Sequence, residues 1–327
     1  MILVTGGAGY IGSHFIRTYL SRYPNADIVV VDNFVEGHKE ALDASSRIVL
    51  YSNDIGDVEA MRNIFSQHPI TAVVHFAAFC YVGESQQQPA KYFQNNVVNA
   101  LSLLKVMQEQ GIKKFVFSST CATYGNPKSL PIDESHVQEP INVYGTTKLI
   151  IEQALRSYGQ SSGWSFVALR YFNAAGADDG GQIGESHEPE THLVPLVLQA
   201  ALGRREYVEV FGEDYETPDG TCIRDYIHVN DLAVAHCQAL EHVQSRQVQH
   251  AINLGTTHGA SVKEVIAMCQ EVTRCDIPIK SSARRSGDPP ILVANNDKAR
   301  QVLGWSPEYN LRRIIETAWT WEQDRRF

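Results

Sequence analysis

Apolar residues in the first half of the chain recur in two alternating rhythms. Short, nearly continuous apolar runs fall at 2–5, 27–31, 47–51, 71–75 and 113–118, and Ala168-Leu169-Arg170 ends a sixth. Between them, apolar positions return every third or fourth residue over 10–22, 57–66, 89–110 and 144–160. A β-branched run such as Ile28-Val29-Val30-Val31 predicts a strand buried on both faces, and the 3.6-residue rhythm predicts amphipathic helices. Strands alternating with helices through right-handed crossovers predict an α/β fold with a doubly wound parallel sheet, of Rossmann type. In such a sheet, ligands gather beyond the carboxyl ends of the strands.

After residue 170 the pattern changes. Residues 171–190 are rich in Gly, Asp and Glu and read as a long loop, a feature that in compact domains usually serves function. A short helix is expected at about 192–202, a strand at Tyr207-Val208-Glu209-Val210 and a polar loop over 212–226. Helices at roughly 230–242, 261–273 and 311–322 with short strands between them complete a smaller α/β region. The expected organisation is a nucleotide-binding domain over 1–170 and a substrate region over 171–327, some of whose segments return to the first domain. The chemistry then lies in the cleft between them.

The first strand runs into Thr5-Gly6-Gly7-Ala8-Gly9-Tyr10-Ile11-Gly12 and then into a helical rhythm. Gly7, Gly9 and Gly12 satisfy G-x-G-x-x-G, and Gly6, Gly9 and Gly12 satisfy G-x-x-G-x-x-G. Strand, glycine turn and helix are the context in which this fingerprint means dinucleotide binding. Small residues let the backbone approach a pyrophosphate, and the helix start offers it free N–H groups. Asp32 follows the second strand, 20 residues after Gly12, where a carboxylate holds the ribose hydroxyls of NAD. Lys39 is the first Lys or Arg beyond it, so a 2′-phosphate lacks a cationic partner and NAD is favoured over NADP. The alternative is a flavodoxin-like turn with a surface Asp.

Composition narrows the classes. With 327 residues the chain can bury one large or two modest domains. A formal charge of −9 argues against nucleic-acid and acidic-membrane partners, and no apolar run is long enough to cross a bilayer. With the first strand expected at Ile2, no removable leader is expected before the fold. Six scattered cysteines without a C-x-x-C pair are expected to be reduced thiols in a cytoplasmic enzyme. No His, Cys or carboxylate spacing signals a metal site, so none is expected.

Tyr144-Gly-Thr-Thr-Lys148 adds candidate chemistry. Residues four apart share a helix face, and a lysine cation can lower a neighbouring phenol's pKa. A phenolate so formed can take a proton from an alcohol while hydride leaves the same carbon for nicotinamide. Taken alone, the pair also fits two surface residues on one helix turn. The run Phe115-Val116-Phe117-Ser118-Ser119-Thr120 ends a strand in hydroxyls, which can bind a substrate oxygen or simply cap backbone groups.

The glycine start, His75-Phe76-Ala77-Ala78, Val82-Gly83-Glu84-Ser85, Arg170-Tyr171-Phe172-Asn173, Arg224-Asp225-Tyr226-Ile227-His228-Val229 and Arg284-Arg285-Ser-Gly-Asp288 span nearly the whole chain. Together they resemble the UDP-glucose 4-epimerase family of extended short-chain dehydrogenases/reductases. The resemblance implies Thr120, Tyr144 and Lys148 as the catalytic hydroxyl, base and lysine. It implies NAD contacts from Gly6, Gly9, Tyr10, Ile11, Asp32, Asn33, Asp54, Ile55, Phe76, Ala77, Asn95, Tyr144, Lys148 and Tyr171. It implies a UDP-hexose held by Thr120, Tyr144, Asn173, Leu193, Phe211, Arg224, Arg285, Asp288 and Leu292. Arg224 and Arg285 would clamp the diphosphate and Phe211 would stack on uracil. A homodimer through helices at 89–110 and 144–160 is likewise implied.

Related chemistries are separated by the residues after Thr120. Nucleotide-sugar 4,6-dehydratases resemble this chain but place acidic residues there, and UDP-glucuronate decarboxylases carry a nearby Glu. Here Cys121 and Ala122 follow, neither of them a carboxyl acid, so reversible oxidation at C4 is expected rather than elimination. Cys80 stands where these epimerases commonly use Lys against the cofactor, which bears on how firmly NAD is held. Leu292 stands where glucose-restricted members often have a bulky Tyr, which opens the pocket to N-acetylated UDP-sugars. A non-catalytic NAD-sensing protein on the same fold is the reading of a different class.

Overall fold

The computed structural model describes residues 1–42, 45–285 and 288–327. The first half runs β1 (Ile2–Thr5), α1 (Tyr10–Arg22), β2 (Ile28–Asp32), β3 (Ile48–Ser52), α2 (Val58–Gln67), β4 (Ala72–His75) and α3 (Val82–Gln87). It continues with α4 (Pro89–Tyr92), a π-helical stretch at Phe93–Asn99, α5 (Ala100–Glu109), β5 (Lys114–Thr120), α6 (Val143–Ser162) and β6 (Ser165–Tyr171). The second half begins with β7 (Asn173–Ala175), α7 (Leu193–Ala201), β8 (Val208–Phe211), β9 (Ile223–Arg224), β10 (Tyr226–His228), α8 (Val229–Ser245) and β11 (Gln249–Leu254). It ends with β12 (Ala260–Ser261), α9 (Val262–Thr273), β13 (Ile279–Ser282), β14 (Ile291–Leu292), α10 (Asp297–Leu303) and α11 (Leu311–Gln323).

Seven parallel strands form the main sheet in the order β11-β6-β5-β4-β1-β2-β3. Side chains alternate between its faces. Ile2, Val4, Ile28 and Val30 pack with Phe15 of α1 and Leu232 of α8. Leu3, Val29 and Val31 pack on the other face with Met61 of α2 and Leu103 of α5. Each of these fully buried side chains contributes about 1.5–3 kcal/mol, which is why an unbroken apolar run belongs at the centre of a two-sided sheet.

Residues 229–254 return to this sheet. Helix α8 packs along α1, and β11 pairs with β6 as the seventh strand, Ala251 opposite Ala168. Its sequence, Gln-His-Ala-Ile-Asn-Leu, is buried only over its last three residues, so its apolar run was too short to predict a sheet strand. The second region is a patchwork: β10 pairs β7, β9 sits between β12 and β14, and β13 pairs β8. Helices α7, α9 and α11 cover its own apolar core. The loops expected over 171–190 and 212–226 therefore contain β7, β9 and β10. The helix expected over 89–110 is interrupted by the π-helical stretch.

Candidate active site

The sheet order reverses at β1, which pairs with β2 on one side and β4 on the other. The chain leaves these strands in opposite directions, opening a crevice at their carboxyl ends. Gly6 turns the chain there with φ +68°, and a Cβ on it would lie 2.5 Å from the Ala77 nitrogen. A Cβ on Gly12 would lie 2.2 Å from the Gly6 oxygen, and one on Gly7 would strike Ile16 and Val30 at 2.8 Å. Only Gly9 has room, its nearest neighbour being the Gly6 oxygen at 3.4 Å. Both glycine templates therefore describe one turn. Gly6, Gly7 and Gly12 close it, while Gly9 caps α1 and leaves open the space before the helix N–H groups.

A cleft of about 570 Å³, open to solvent, runs from this turn past Asp32. Asp32 is buried; it accepts the N–H groups of Ala8 and Phe34, each at 2.9 Å. Burial raises its carboxyl pKa despite those two bonds. Asn33, Ile55, Phe76, Ala77 and Asn95 line the same cleft, as does Asp54. Asp54 binds Asn33 Nδ2 at 2.9 Å with one oxygen, and with the other Gly56 N–H at 2.7 Å and Asn99 Nδ2 at 2.9 Å. The π-helical stretch explains the asparagines. Its wider turn brings Asn95 to the cleft, Asn96 onto the backbone of Phe79 and Asn99 onto Asp54.

The cleft suits a dinucleotide: a glycine cradle that a Cβ would fill, a helix start for phosphate, and a buried carboxylate for ribose. Tyr10 and Ile11 do not line it. Tyr10 reaches across to the second region, its hydroxyl donating to the Gly176 carbonyl at 2.6 Å. Ile11 packs on the core, half-buried.

Helix α6 delivers Tyr144 and Lys148 from its first turns. Asn142 caps it, accepting the Gly145 N–H at 2.7 Å, and the buried Ser85 hydroxyl accepts the Tyr144 N–H at 3.1 Å. A Cβ on Gly145 would lie 2.4 Å from the Ala122 carbonyl, so glycine lets α6 dock on the turn after Thr120. Thr120 and Tyr144 are thereby brought close, and the Thr120 side chain works to lower the Tyr144 phenol's pKa. The Thr120 hydroxyl also accepts the Ala122 N–H at 3.1 Å, so the capping and binding readings of this hydroxyl hold together.

Lys148 is buried and donates to the Ser118 carbonyl at 2.8 Å, its Nζ 5.8 Å from the Tyr144 ring centre. Burial lowers its pKa to about 8. Burial also raises the Tyr144 phenol well above its ordinary value, with Tyr171 and Cys80 adding to the rise. The lysine's hydrogen bond goes to the Ser118 carbonyl, and burial is the largest influence on the Tyr144 phenol. Tyr171 lies alongside, its hydroxyl 2.8 Å from Ser118 Oγ. Burial holds the Cys121 thiol near pKa 12, so it is a neutral thiol and not an acid.

Across the cleft, Arg224 donates to the carbonyls of Ile223 and Pro289 and pairs with Asp288 at 3.4 Å. The Arg285 guanidinium lies 3.9 Å over the Phe211 ring. Ser286 and Gly287 of that stretch lie outside the described residues. Leu292 sits opposite Arg224 in β14 and packs with Cys121 against a small cluster around Tyr124 and Phe172. That shared cluster joins the two sides near the Thr120 strand end, where the charge of Arg224 also reaches Cys121. Asn173 is half-buried at the start of β7, its N–H bonded to the Asp225 carbonyl, and Leu193 opens α7 against the second core.

Several supporting residues escaped the sequence reading. Glu152, one turn beyond Lys148, makes two hydrogen bonds to buried Arg170 and accepts the Ser119 hydroxyl. Arg170 also binds Tyr124, which donates to Asn253 of β11. This network ties the catalytic helix to three strands. Asp225 accepts from Thr256, Thr257 and Ala294 and thereby anchors β9. Arg170 and Asp225 lay within recognised motifs, but nothing in the sequence named their partners. Glu185, His187, Glu190 and His192, whose spacing signals no metal set, converge so that their ligand atoms lie within 4.8 Å of one another.

The family described as GDP-mannose 4,6 dehydratase matches residues 3–318. A UDP-glucose 4-epimerase from Halalkalibacterium halodurans is 51% identical over 99% of this chain and 96% of its own length. A UDP-glucose 4-epimerase from Brucella ovis, solved in complex with NAD, is 46% identical, with TM-score 0.93 over 97% of each chain. One from Bifidobacterium longum, solved with NAD+ and UDP, is 37% identical, with TM-score 0.92 over 98% of each chain.

Proposed function

This chain belongs to the UDP-glucose 4-epimerase family of extended short-chain dehydrogenases/reductases, and from that premise we propose that it interconverts UDP-galactose and UDP-glucose through a 4-keto sugar. One observation supports this reading most: Thr120 and Tyr144 meet at a strand end followed by Cys121 and Ala122, where elimination would need a carboxyl acid. Gly9 and Asp32 would hold NAD in the cleft between them, where it would supply a reversible hydride acceptor for C4.

Tyr144 takes the proton of the 4′-hydroxyl and gives it back, so the protein ends each cycle unchanged. Burial opposes phenolate formation, and Lys148 is the buried cation nearest to offset it. The Thr120 hydroxyl orients the same oxygen pair. Arg224 and Arg285 hold the diphosphate while the sugar, ketonic at C4, turns its other face to the cofactor. Phe211, Leu193, Asn173 and Asp288 complete the nucleotide side.

The test is product analysis with UDP-galactose and no added NAD. UDP-glucose is the expected product; absence of epimer with NAD supplied overturns the reading. A second reading, that N-acetylated UDP-sugars also enter, is favoured by Leu292, which shares a cluster with Cys121 and where a Tyr would fill more space. Comparable turnover of UDP-N-acetylgalactosamine and UDP-galactose supports it. We also propose a cytoplasmic homodimer. Phe93, Val98 and Leu101 are exposed apolar residues on the helical stretch 89–110. Leu101→Glu is then expected to yield a monomer in sedimentation.

A further inference from the structure

The crossing between β7 and α7 carries Glu185, His187, Glu190 and His192. His192 Nδ1 is 2.7 Å from one Glu185 oxygen and 3.0 Å from one Glu190 oxygen. His187 Nδ1 is 3.2 Å from Glu185 and 3.8 Å from Glu190. A tetrahedral ion with bonds of about 2.0–2.2 Å to nitrogen and oxygen sets its ligands roughly 3.4 Å apart. His192 faces Glu190 Oε1 and His187 faces Glu190 Oε2, and one ligand atom from each of the four residues lies within 4.8 Å of the others, close enough for a single ion to draw them together.

Two further observations point to a ligand. The Glu190 side chain is 5% exposed, and its Oε2 accepts no hydrogen bond; His187 Nδ1 also lacks an aligned one. Buried polar atoms are normally satisfied, and orphans call for an explanation such as an ion. The carboxylates of Glu185 and Glu190 also have no Lys or Arg ion-pair partner among the described residues; their recorded pairs are with the two imidazoles. Bound to an ion through their Nδ1 atoms the two imidazoles would be neutral, and with the two carboxylates the set would carry a charge of −2, which a divalent ion neutralises.

We propose that Glu185, His187, Glu190 and His192 bind one divalent transition ion of the zinc class. Two imidazole nitrogens with two carboxylate oxygens suit such a borderline ion better than magnesium or calcium, which prefer all-oxygen sets. Four protein ligands leave no open position, so the ion is structural rather than catalytic. Its place is informative. The His187 ring meets Tyr10 and Tyr81 edge-on at 6.4 and 5.7 Å, and Leu193 of α7 follows His192 directly. The ion would fasten the crossing segment to the start of α1 and fix where α7 begins.

Metal content decides the matter on the whole protein. After EDTA treatment and dialysis against zinc, one zinc per chain is expected on the wild type, with His187→Gln and Glu190→Gln each binding about tenfold more weakly or worse. Cobalt-loaded wild type should show the visible d–d band of a tetrahedral nitrogen and oxygen set, without a thiolate charge-transfer band. That spectrum needs no variant, so the proposal stays testable if a substitution impairs folding. Negligible zinc on the wild type overturns it, as do equal zinc affinity in the variants or a thiolate band pointing to cysteine ligands.

Discussion

In the cofactor cleft, the lining comes from the ends of β4, β1, β2 and β3, four neighbours in one seven-stranded sheet, joined by Asn95 of the π-helical stretch. On the sugar side, Phe211, Arg224 and Leu292 come from β8, β9 and β14, which belong to two small separate sheets, and Arg285 comes from a loop. The first surface is built around a glycine turn, where a methyl group on Gly6, Gly7 or Gly12 would meet neighbouring atoms at 2.2–2.8 Å. The second is made of long side chains already paired with one another, Arg224 with Asp288 and Arg285 with Phe211. A fixed face on one side and re-pairable side chains on the other suit a reaction in which the cofactor stays put and the sugar turns over.

Substitutions on the two sides should therefore fail differently. Tyr144→Phe, at the junction, is expected to lower turnover by roughly 10²–10⁴-fold, the range for losing a positioned acid–base group. NAD retention, read from cofactor absorbance after gel filtration, should change little. Gly12→Ala should cost about 3 kcal/mol or more, because its methyl group meets backbone and cannot be relieved by a rotamer change. Calorimetry should show a lowered Tm together with lost NAD. Gly9→Ala sharpens the contrast: with 3.4 Å of clearance it should fold normally yet bind NAD more weakly.

On the sugar side the effects should be graded. Arg285→Met is expected to raise KM for UDP-galactose by about 10–100-fold, as for loss of a charged hydrogen bond of roughly 1.5–3 kcal/mol. NAD affinity and Tm should stay near wild type; a loss of fold instead would break the comparison. Leu292→Tyr should act more gently still, selecting against any N-acetylated sugar while sparing UDP-galactose in paired assays.

A last contrast concerns pH and separates the buried first layer from its surface. Burial holds His75 near pKa 3, and His14 and His236 near 4, below the ordinary 6.5. These rings are neutral in the fold, whereas the unfolded chain takes up protons below 6.5. Stability should therefore fall as pH drops from about 6.5 towards 4, by up to about 1.4 kcal/mol per pH unit for each ring. Urea titrations across that range should show it. A flat profile would mean that these histidines are not desolvated.

The reach of the sequence can be traced residue by residue. Strands β1 to β6 follow from apolar runs, because a strand covered on both faces leaves no polar positions. The glycine turn and Asp32 were legible for a related reason: a backbone that must approach a ligand tolerates few residue types. Tyr144 and Lys148 were legible as a pair but not in their charge state. The spacing placed both on one helix face, and only the packing showed burial raising the phenol while Lys148 bonds to Ser118.

What the sequence by itself determined is local: where strands end, where the chain turns on glycine, and which residues share a helix face. Covalent neighbours and two simple periodicities fix these. The tertiary structure alone decided that β11 closes the sheet and that Glu152 meets Arg170. It also decided that Leu292 and Cys121 share one cluster, and that two glutamates and two histidines converge. Those pairings depend on how separately formed elements or an irregular loop pack, and a buried polar group takes whichever partner the packing brings within reach. No spacing along the chain encodes that choice.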